Sequence, residues 1–199
     1  MGVMSPEAAA TRARLLDAAF EEFAQHGVAG ARVDRVAARA GLNKRLIYVH
    51  FGNKEQLFEA VTGEMVGVLA DAVPFTPDDL PGYAGALFDH LLRHPRQLRL
   101  ALWQQLERPG LAEAAAAASY RPKVDALAAR GTPHHPADVL TLVLALTGAW
   151  LTAPSALRAL APQGEGEAAQ ASPERVAAHR AAVVAAVRAL VDDERNGAG

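Results

Sequence analysis

Residues 41–58 of this chain combine basic, aromatic and amide side chains at helical spacing. Apolar side chains of this segment are spaced to face a core, which leaves Lys44, Arg45 and Tyr48 pointing outward. The major groove of duplex DNA accepts one helix whose exposed side chains reach base edges and whose ends contact phosphates. The segment therefore predicts binding to double-stranded DNA. The candidate DNA-binding residues are Arg32, Asn43, Lys44, Arg45, Tyr48, His50 and Lys54.

Individual roles follow from the chemistry of each side chain. Asn43 is placed to cap the helix start, because its side-chain oxygen can accept from amides of the first turn. Arg45 is a candidate base contact, since arginine to guanine is the commonest specific pairing. Lys54 begins the next helix, where free amides and the helix dipole favour a phosphate. The alternative for the basic residues is an ordinary solvated face.

Two upstream segments are expected to position this DNA-reading helix. Arg32 to Ala40 has apolar residues at helical spacing, and Gly41 supplies the turn that follows it. Two short helices joined by a glycine-containing turn form a helix-turn-helix. A longer helix, Arg12 to His26, can cover the apolar side of the pair and should end at Gly27. The first 60 residues therefore predict a three-helix DNA-binding domain.

The end of this segment resembles the TetR family of one-component transcriptional repressors. The residues that carry the resemblance are Tyr48, His50, Phe51, Lys54, Glu55 and Leu57. The likeness covers about residues 12 to 60 and implies an all-α protein, and the helical pattern of the whole chain predicts about nine helices. The likeness also implies a helix-turn-helix domain over residues 1–60 and a ligand-binding and dimerisation domain over residues 61–199.

Two positions depart from the family pattern. Arg32 stands where the family usually has a threonine or serine that caps the second helix, so a phosphate contact is kept but side-chain capping is lost. Arg45 stands where a glycine or small residue is common. We interpret this second departure as an added base contact.

Composition agrees with a soluble DNA-binding protein. The net charge is -2, yet residues 32–54 contain six basic residues and one acid, while residues 61–199 contain twelve basic and fifteen acidic residues. A positive field confined to one segment suits a local DNA surface. The chain has no cysteine, and its first residues lack the features of a signal peptide, which predicts a cytoplasmic protein. Val139 to Leu157 is uncharged and near bilayer length, but polar residues and Pro154 favour a buried helix over a membrane span.

Beyond residue 60 the pattern is helical almost throughout. Breaks are expected at the proline and glycine pairs between the helices, in a flexible stretch from Pro162, and in a disordered tail over residues 196–199. The predicted helices are Asn53 to Ala72, Leu80 to Leu92, Pro95 to Glu107, Leu111 to Ala129, Pro136 to Leu160 and Pro173 to Val191.

The last two long helices carry more apolar surface than one small domain needs. Paired with a twofold copy they would form a four-helix bundle, and a homodimer would grip two half-sites of a palindromic operator. The alternative is that these helices only close the core of a single chain. The candidate dimer-interface residues are Val139, Leu142, Val143, Leu146, Val176, Val183, Val184, Val187 and Leu190.

The family resemblance implies a cavity for a small-molecule effector among the middle helices. An effector that binds best when the DNA-binding domains of the two subunits are misaligned would release the repressor from DNA. The fourth helix, which begins near Lys54, is expected to transmit this change. The alternative is that the pocket candidates are plain core. The candidate ligand-binding residues are Phe88, Leu91, Leu102, Trp103, Gln104, Leu106, Tyr120 and Trp150.

Other functions have weaker support. His90 and His94 share the spacing of two metal ligands, but no third ligand is evident, so no metal or other cofactor is expected. No motif for a nucleophile or a phosphate-binding loop is present, and an enzyme is therefore the weakest alternative. A helix-turn-helix protein controlled by a protein partner, with no small ligand, remains a second alternative.

Overall fold

The computed structural model describes residues 5–111, 113–159 and 172–192, and over these ranges it contains ten α-helices, one 3-10 turn and no strand. This confirms the predicted all-α class. The α-helices are α1 (Pro6–Gly30), α2 (Val33–Ala40), α3 (Arg45–Phe51), α4 (Lys54–Ala72), α5 (Leu80–Arg93), α6 (Pro95–Glu107), α7 (Glu113–Arg130), α8 (Pro136–Thr152), α9 (Ser155–Ala159) and α10 (Pro173–Val191). The 3-10 turn, Pro77–Asp79, precedes α5.

Helix α1 is longer at both ends than the sequence predicted. The Ser5 side chain accepts a hydrogen bond from the Ala8 amide, and Pro6 occupies the first turn, so the helix begins six residues before Arg12. Gly27, the predicted end, has φ +67° and breaks the helical geometry, although one more turn continues to Gly30. Gly27 is therefore a kink rather than a terminus.

The predicted single helix from Pro136 to Leu160 is wrong. Helix α8 stops at Thr152, Ala153 is extended, and the five-residue α9 follows. The cause is Pro154, which has no amide hydrogen and disfavours helical geometry in the residue before it. This break raises the helix count of the described chain from about nine to ten. None of the described helices is both long and apolar enough to cross a bilayer. The predicted flexible stretch from Pro162 and the predicted disordered tail lie outside the described residues.

The described residues form two compact units. The first contains the chain as far as Leu69 together with Arg96–Ala117. Its core is built from α1 to α4 with Leu100 of α6, and the rings of Phe23 and Phe58 meet edge to face at 5.0 Å. Ile47 of α3 is fully buried in this core, which holds α3 in place.

The second unit contains Ala70–Pro95 and the chain from Ala118. Helix α5 packs against α8 and α10, and these two helices also pack against each other. At Gly85 the Arg180 and Val184 side chains approach so closely that a Cβ atom would meet them at 2.8 and 3.2 Å. Arg180 Nε also donates to both carboxylate oxygens of Asp89 at 2.9 Å, which joins α10 to α5.

Candidate nucleic-acid interface

Helix α3 has one face in the core and one face in solvent. Ile47 and Phe51 are buried, as the spacing predicted, while Arg45 is exposed and Tyr48 is 47% exposed. Val49 is 67% exposed and was not among the DNA contacts predicted from the sequence. An exposed apolar side chain on such a helix can contact the methyl group of thymine.

The ends of α3 carry the local chemistry that the sequence predicted. Asn43 Oδ1 accepts a hydrogen bond from the Arg45 amide at 2.8 Å, which confirms its capping role. Gly52 has φ +83°, and its amide donates to the Tyr48 carbonyl at 3.0 Å. Asn53 caps the next helix in the same way, with its Oδ1 accepting from the Gln56 amide at 2.8 Å. These caps give the short helix defined ends.

Lys44 lies at the end of the turn that joins α2 to α3. Its Nζ lies 2.8 Å from Asp34 Oδ1, so the side chain joins α2 to α3. The hydrogen bond from Lys44 to Asp34 raises the pKa of the lysine. The pair is exposed, so a phosphate can compete for the ammonium. The predicted DNA contact of Lys44 stays a prediction.

Lys54 has a partner that the sequence did not indicate. Its Nζ donates to the Val28 carbonyl at 2.8 Å and to the Ala31 carbonyl at 3.4 Å. These carbonyls lie at the C-terminal end of α1, where a cation is favoured. Lys54 therefore attaches the start of α4 to the end of α1. Its phosphate contact stays a prediction, and any such contact would share the ammonium with α1.

Arg32 directly precedes α2, and its side chain makes no capping hydrogen bond, as expected for arginine in place of threonine or serine. Its amide instead donates to Glu22 Oε1 at 2.9 Å, and the Arg35 Nε donates to the same oxygen at 2.7 Å. The Arg32 side chain is exposed, which leaves its guanidinium accessible to DNA. Glu22 of α1 thus accepts a hydrogen bond at the start of α2, where no local side chain caps the helix. His50, the remaining candidate, is half-buried in α3, and its ring lies 6.2 Å from that of Phe51.

Glu22, which supports the start of α2, was not predicted from the sequence. Its side chain is 1% exposed, and burial on its own would raise the pKa of the carboxyl. The hydrogen bonds from Arg35 and from the Arg32 amide, with the positive charge of Arg35, hold the pKa below its ordinary value instead. A signal was present, because Glu22 lies on the apolar stripe of α1 three residues after Ala19. An acid at such a position predicts a specific partner.

The C-terminal turn of α6 contacts the kink in α1. Glu107 Oε2 accepts from the amides of Val28 and Ala29 at 2.8 and 2.9 Å. A Cβ atom at Gly27 would lie 2.5 Å from Glu107 Oε1 and 3.0 Å from the Trp103 ring. Trp103, a candidate ligand-binding residue, therefore lies against α1 within the first unit. Its buried Nε1 has no hydrogen-bond partner among the described residues.

The other effector candidates of the first unit are less enclosed. Gln104 Nε2 donates to the Leu111 carbonyl at 2.8 Å, a contact within the unit. Leu102 is 37% exposed, and Leu106 is 76% exposed. Their predicted role in a pocket stays a prediction.

In the second unit the structure brings two effector candidates together. The rings of Phe88 and Trp150 lie 5.7 and 5.0 Å from the ring of His179, which the sequence argument did not name. The Arg175 guanidinium carbon lies 5.9 Å from the centre of the Trp150 ring. Leu91 is buried in the same unit. We call the cluster of Phe88, Trp150, Arg175 and His179 the aromatic-cation cluster.

Tyr120, the eighth effector candidate, lies beside a different cation. It is 43% exposed, and the Lys123 ammonium lies 5.9 Å from its ring centre and equally far from that of Phe75. Burial raises the pKa of Tyr120 and lowers the pKa of Lys123. The rings of His90 and His94 are tilted to each other with centres 4.6 Å apart, but the described chain has no group of three or more acidic or histidine side chains able to hold a metal ion.

Burial within a single chain narrows the candidate dimer surface. Val139, Val143, Val183 and Val187 are at most 3% exposed in the core of the second unit. Their side chains pack between α5, α8 and α10, so they are not accessible to a second copy. Leu142 points outward and is 45% exposed. The half-buried candidates are Leu146, Val176, Val184 and Leu190.

Two family models match this chain. Residues 15–61 match the model described as bacterial regulatory proteins, tetR family. Residues 79–189 match the model described as tetracyclin repressor-like, C-terminal domain. Together the two matches cover both the helix-turn-helix segment and most of the second half.

Individual proteins are similar over large parts of the chain. The HTH-type transcriptional repressor SCO4008 of Streptomyces coelicolor is 48% identical over 107 residues, which are 54% of this chain and 55% of that protein. The HTH-type transcriptional repressor NicS of Pseudomonas putida is 30% identical over 114 residues, 54% of each chain. The aligned chain thus spans about half the length of these curated relatives. The crystal structure of SCO4942 from Streptomyces coelicolor is 38% identical, with a TM-score of 0.74 over 90% of this chain and 97% of that one.

Proposed function

Because this chain belongs to the TetR family of bacterial regulatory proteins, we propose that it is a DNA-binding transcriptional repressor that reads a palindromic operator as a homodimer. One observation carries the proposal: α3 buries Ile47 in the core and presents Arg45, Tyr48 and Val49 to solvent. A helix held this way can enter the major groove without losing its packing. Such a role would place the protein in the cytoplasm with the chromosome.

The exposed face of α3 offers two kinds of base contact. Arg45 can form two hydrogen bonds to guanine, and Val49 can pack against a thymine methyl. Lys44, Arg32 and the Tyr48 hydroxyl are proposed to contact phosphates, which orient the helix but do not distinguish bases. The enriched sequence from a selection with random duplexes would reveal the operator half-site.

Arg45→Ala should weaken binding to the selected operator by about 1–3 kcal/mol and relax the preference at one base pair. Arg39→Ala is the matched control, since Arg39 is also exposed but ends α2. We expect this control to weaken operator and random duplex alike. Fluorescence anisotropy at fixed salt measures both affinities. Equal loss on operator and random DNA from Arg45→Ala would contradict base reading by this residue.

We propose that the homodimer forms through the outward faces of α8 and α10. Leu142 and Ala145 of α8 are exposed, and α10 presents exposed alanines along the side that faces away from its own core. Small side chains allow two helices to approach closely, and a twofold copy would cover the same surface on each chain. A dimer is needed because one reading helix contacts only one half-site.

Leu142→Glu should raise the dimer dissociation constant at least about tenfold, because a charge would be buried at the centre of the interface. Leu106→Glu places the same charge on a leucine that is 76% exposed in α6, and we expect it to leave the dimer unchanged. Sedimentation velocity over a dilution series measures both constants. An unchanged constant in Leu142→Glu would move the interface away from α8.

We further propose that a small-molecule effector binds at the aromatic-cation cluster. Arg175 Nε and His179 Nε2 are buried and have no hydrogen-bond partner among the described residues. Burial, followed by repulsion from Arg175, lowers the pKa of His179, so the imidazole is neutral near pH 7. An aromatic ligand with a carbonyl or carboxylate could stack on Trp150 and accept from both nitrogens. A coupling of about 1–3 kcal/mol between ligand and operator is typical of such regulation.

A further inference from the structure

A cleft of about 160 Å³ lies within the first unit between α1, α4 and the first turn of α6. Its apolar lining comes from α1 and α4, with Leu16 and Val61 buried below and Val68 half exposed near the opening. Phe20 and Met65 complete the apolar wall. A cavity of about 150 Å³ lined by apolar side chains can hold one benzene ring. The cleft therefore has room for a single aromatic ring.

The polar lining of this cleft is acidic. Asp17 and Glu64 are its two charged lining residues, and both are exposed at the opening. The amide side chain of Gln97 completes the lining. The lining thus carries two negative charges and no basic side chain, so an anion is disfavoured there and a cation is favoured.

Neighbouring cations neutralise these two carboxylates only in part. Arg12 Nη1 lies 4.0 Å from Glu64 Oε2, the limit of an ion pair, with both side chains largely exposed. On α6, the Arg96 side chain is paired with Glu21 at 2.5 Å. Exposed pairs at long distance contribute little, and a ligand cation can compete with Arg12 for Glu64.

We propose that this cleft binds a small aromatic cation. The ring would occupy the apolar floor between α1 and α4, and the cationic group would lie at the opening between Asp17 and Glu64. Phe20 adds an aromatic face, which attracts a cation in addition to the two carboxylates. None of the eight effector candidates lines this cleft, so the site goes beyond the function proposed above. Because the ligand would contact only the first unit, its binding stabilises that unit by mass action.

The test uses benzyltrimethylammonium and the full-length protein. Met65 lines the cleft and is one of three methionines in the chain, so a sample with 13C-labelled methionine methyl groups gives few signals. The Met65→Leu variant identifies the Met65 signal. We expect a saturable shift of this signal during the titration, because the ring current of a bound aromatic group acts on a methyl group that it touches. Benzenesulfonate, with a ring and a negative charge, should bind at least tenfold more weakly.

Variants separate charge recognition from simple apolar adsorption. Asp17→Asn and Glu64→Gln should each raise the dissociation constant about two- to fivefold, the range expected for one exposed charge pair. Both residues are exposed, so the fold should persist, and an unchanged melting temperature verifies this. Glu59→Gln, an exposed acid on α4 outside the cleft, is the matched control and should bind as the wild type does.

The proposal would be overturned by no saturable Met65 shift, by equal affinity for benzenesulfonate, or by unchanged affinity in both the Asp17→Asn and the Glu64→Gln variants. Tetramethylammonium, which has the charge without the ring, should bind more weakly than benzyltrimethylammonium. Equal binding of the two cations would also contradict a ring site. No DNA is present in this experiment, so its failure would leave the proposed operator binding unaffected, and the reverse also holds.

Discussion

Glu22→Gln should lower the free energy of unfolding by about 2–3 kcal/mol, the range for weakening a buried, charge-assisted hydrogen-bond group. The Glu22 carboxylate is 1% exposed and accepts from the Arg32 amide and the Arg35 side chain. A neutral amide accepts these bonds less strongly and loses the attraction of the guanidinium. Because both donors belong to the helix-turn-helix pair, operator affinity should fall together with stability. Urea unfolding and anisotropy titrations measure the two effects.

The pH dependence of stability gives a second test of Glu22. Its pKa in the folded protein is held below the ordinary value, so the unfolded chain binds a proton at a higher pH than the folded protein. The stabilisation is therefore complete above the ordinary glutamate pKa and is lost as pH falls through the folded value. The stability difference between the wild type and Glu22→Gln should shrink with falling pH. A difference that stayed constant as the pH fell from neutral to below the folded-state pKa of Glu22 would show that the charge of Glu22 is not involved.

Glu21→Gln is the matched control for this prediction. The neighbouring residue has the same type and also pairs with an arginine, Arg96, but its side chain is 30% exposed. A partly exposed pair contributes at most about 1 kcal/mol. If Glu21→Gln and Glu22→Gln destabilise the protein equally, burial of the carboxylate is not the cause.

Gly27→Ala should destabilise the protein by about 1–3 kcal/mol from backbone strain alone. Gly27 has φ +67° and ψ -176°, a region that residues with a side chain rarely occupy. The added Cβ would also lie 2.5 Å from Glu107 Oε1, so the carboxylate that binds the Val28 and Ala29 amides must move. The expected result is a lower urea midpoint. Operator binding should also weaken, because a shift at the end of α1 would displace α2, which follows it directly in the helix-turn-helix pair.

Gly63→Ala is the matched control for Gly27→Ala. Gly63 lies within α4, and nothing lies within 4 Å of the position that its Cβ would take. Alanine in a helix interior is favoured over glycine by about 0.5–1 kcal/mol, so this variant should be as stable as the wild type or more so. If Gly27→Ala were also neutral, alanine would fit the kink without strain, and the claim that this position requires glycine would be wrong.

Helices α2 and α3 of the candidate nucleic-acid interface were predictable because their signals are local. The apolar spacing of α2 and α3 depends on neighbours within four residues, and so do the caps formed by Asn43 and Asn53. The bounds of α6 and of α10, each opened by a proline, follow from the same short-range chemistry. Helix α8 was predicted too long because its apolar pattern continues past Pro154, whereas the proline interrupts the helix.

The contacts that orient the candidate site were decided by the tertiary structure. The hydrogen bonds from Lys54 to Val28, from Arg35 to Glu22 and from Val28 to Glu107 join residues 26, 13 and 79 positions apart. Side-chain type shows that Glu22 or Lys54 needs a partner, but only packing places a particular donor or acceptor within reach.

The same distinction separates the buried and outward faces of α8. This helix is apolar on most sides, so periodicity could not tell which residues meet α5 and which remain for a second copy. Packing buries Val139 and Val143 and leaves Leu142 exposed. The sequence by itself determined where most helices form and which short segment is the candidate DNA-reading helix, because these depend on local spacing and capping. The tertiary structure decided which faces are used, because a cleft, an ion pair or a free surface exists only once distant helices meet.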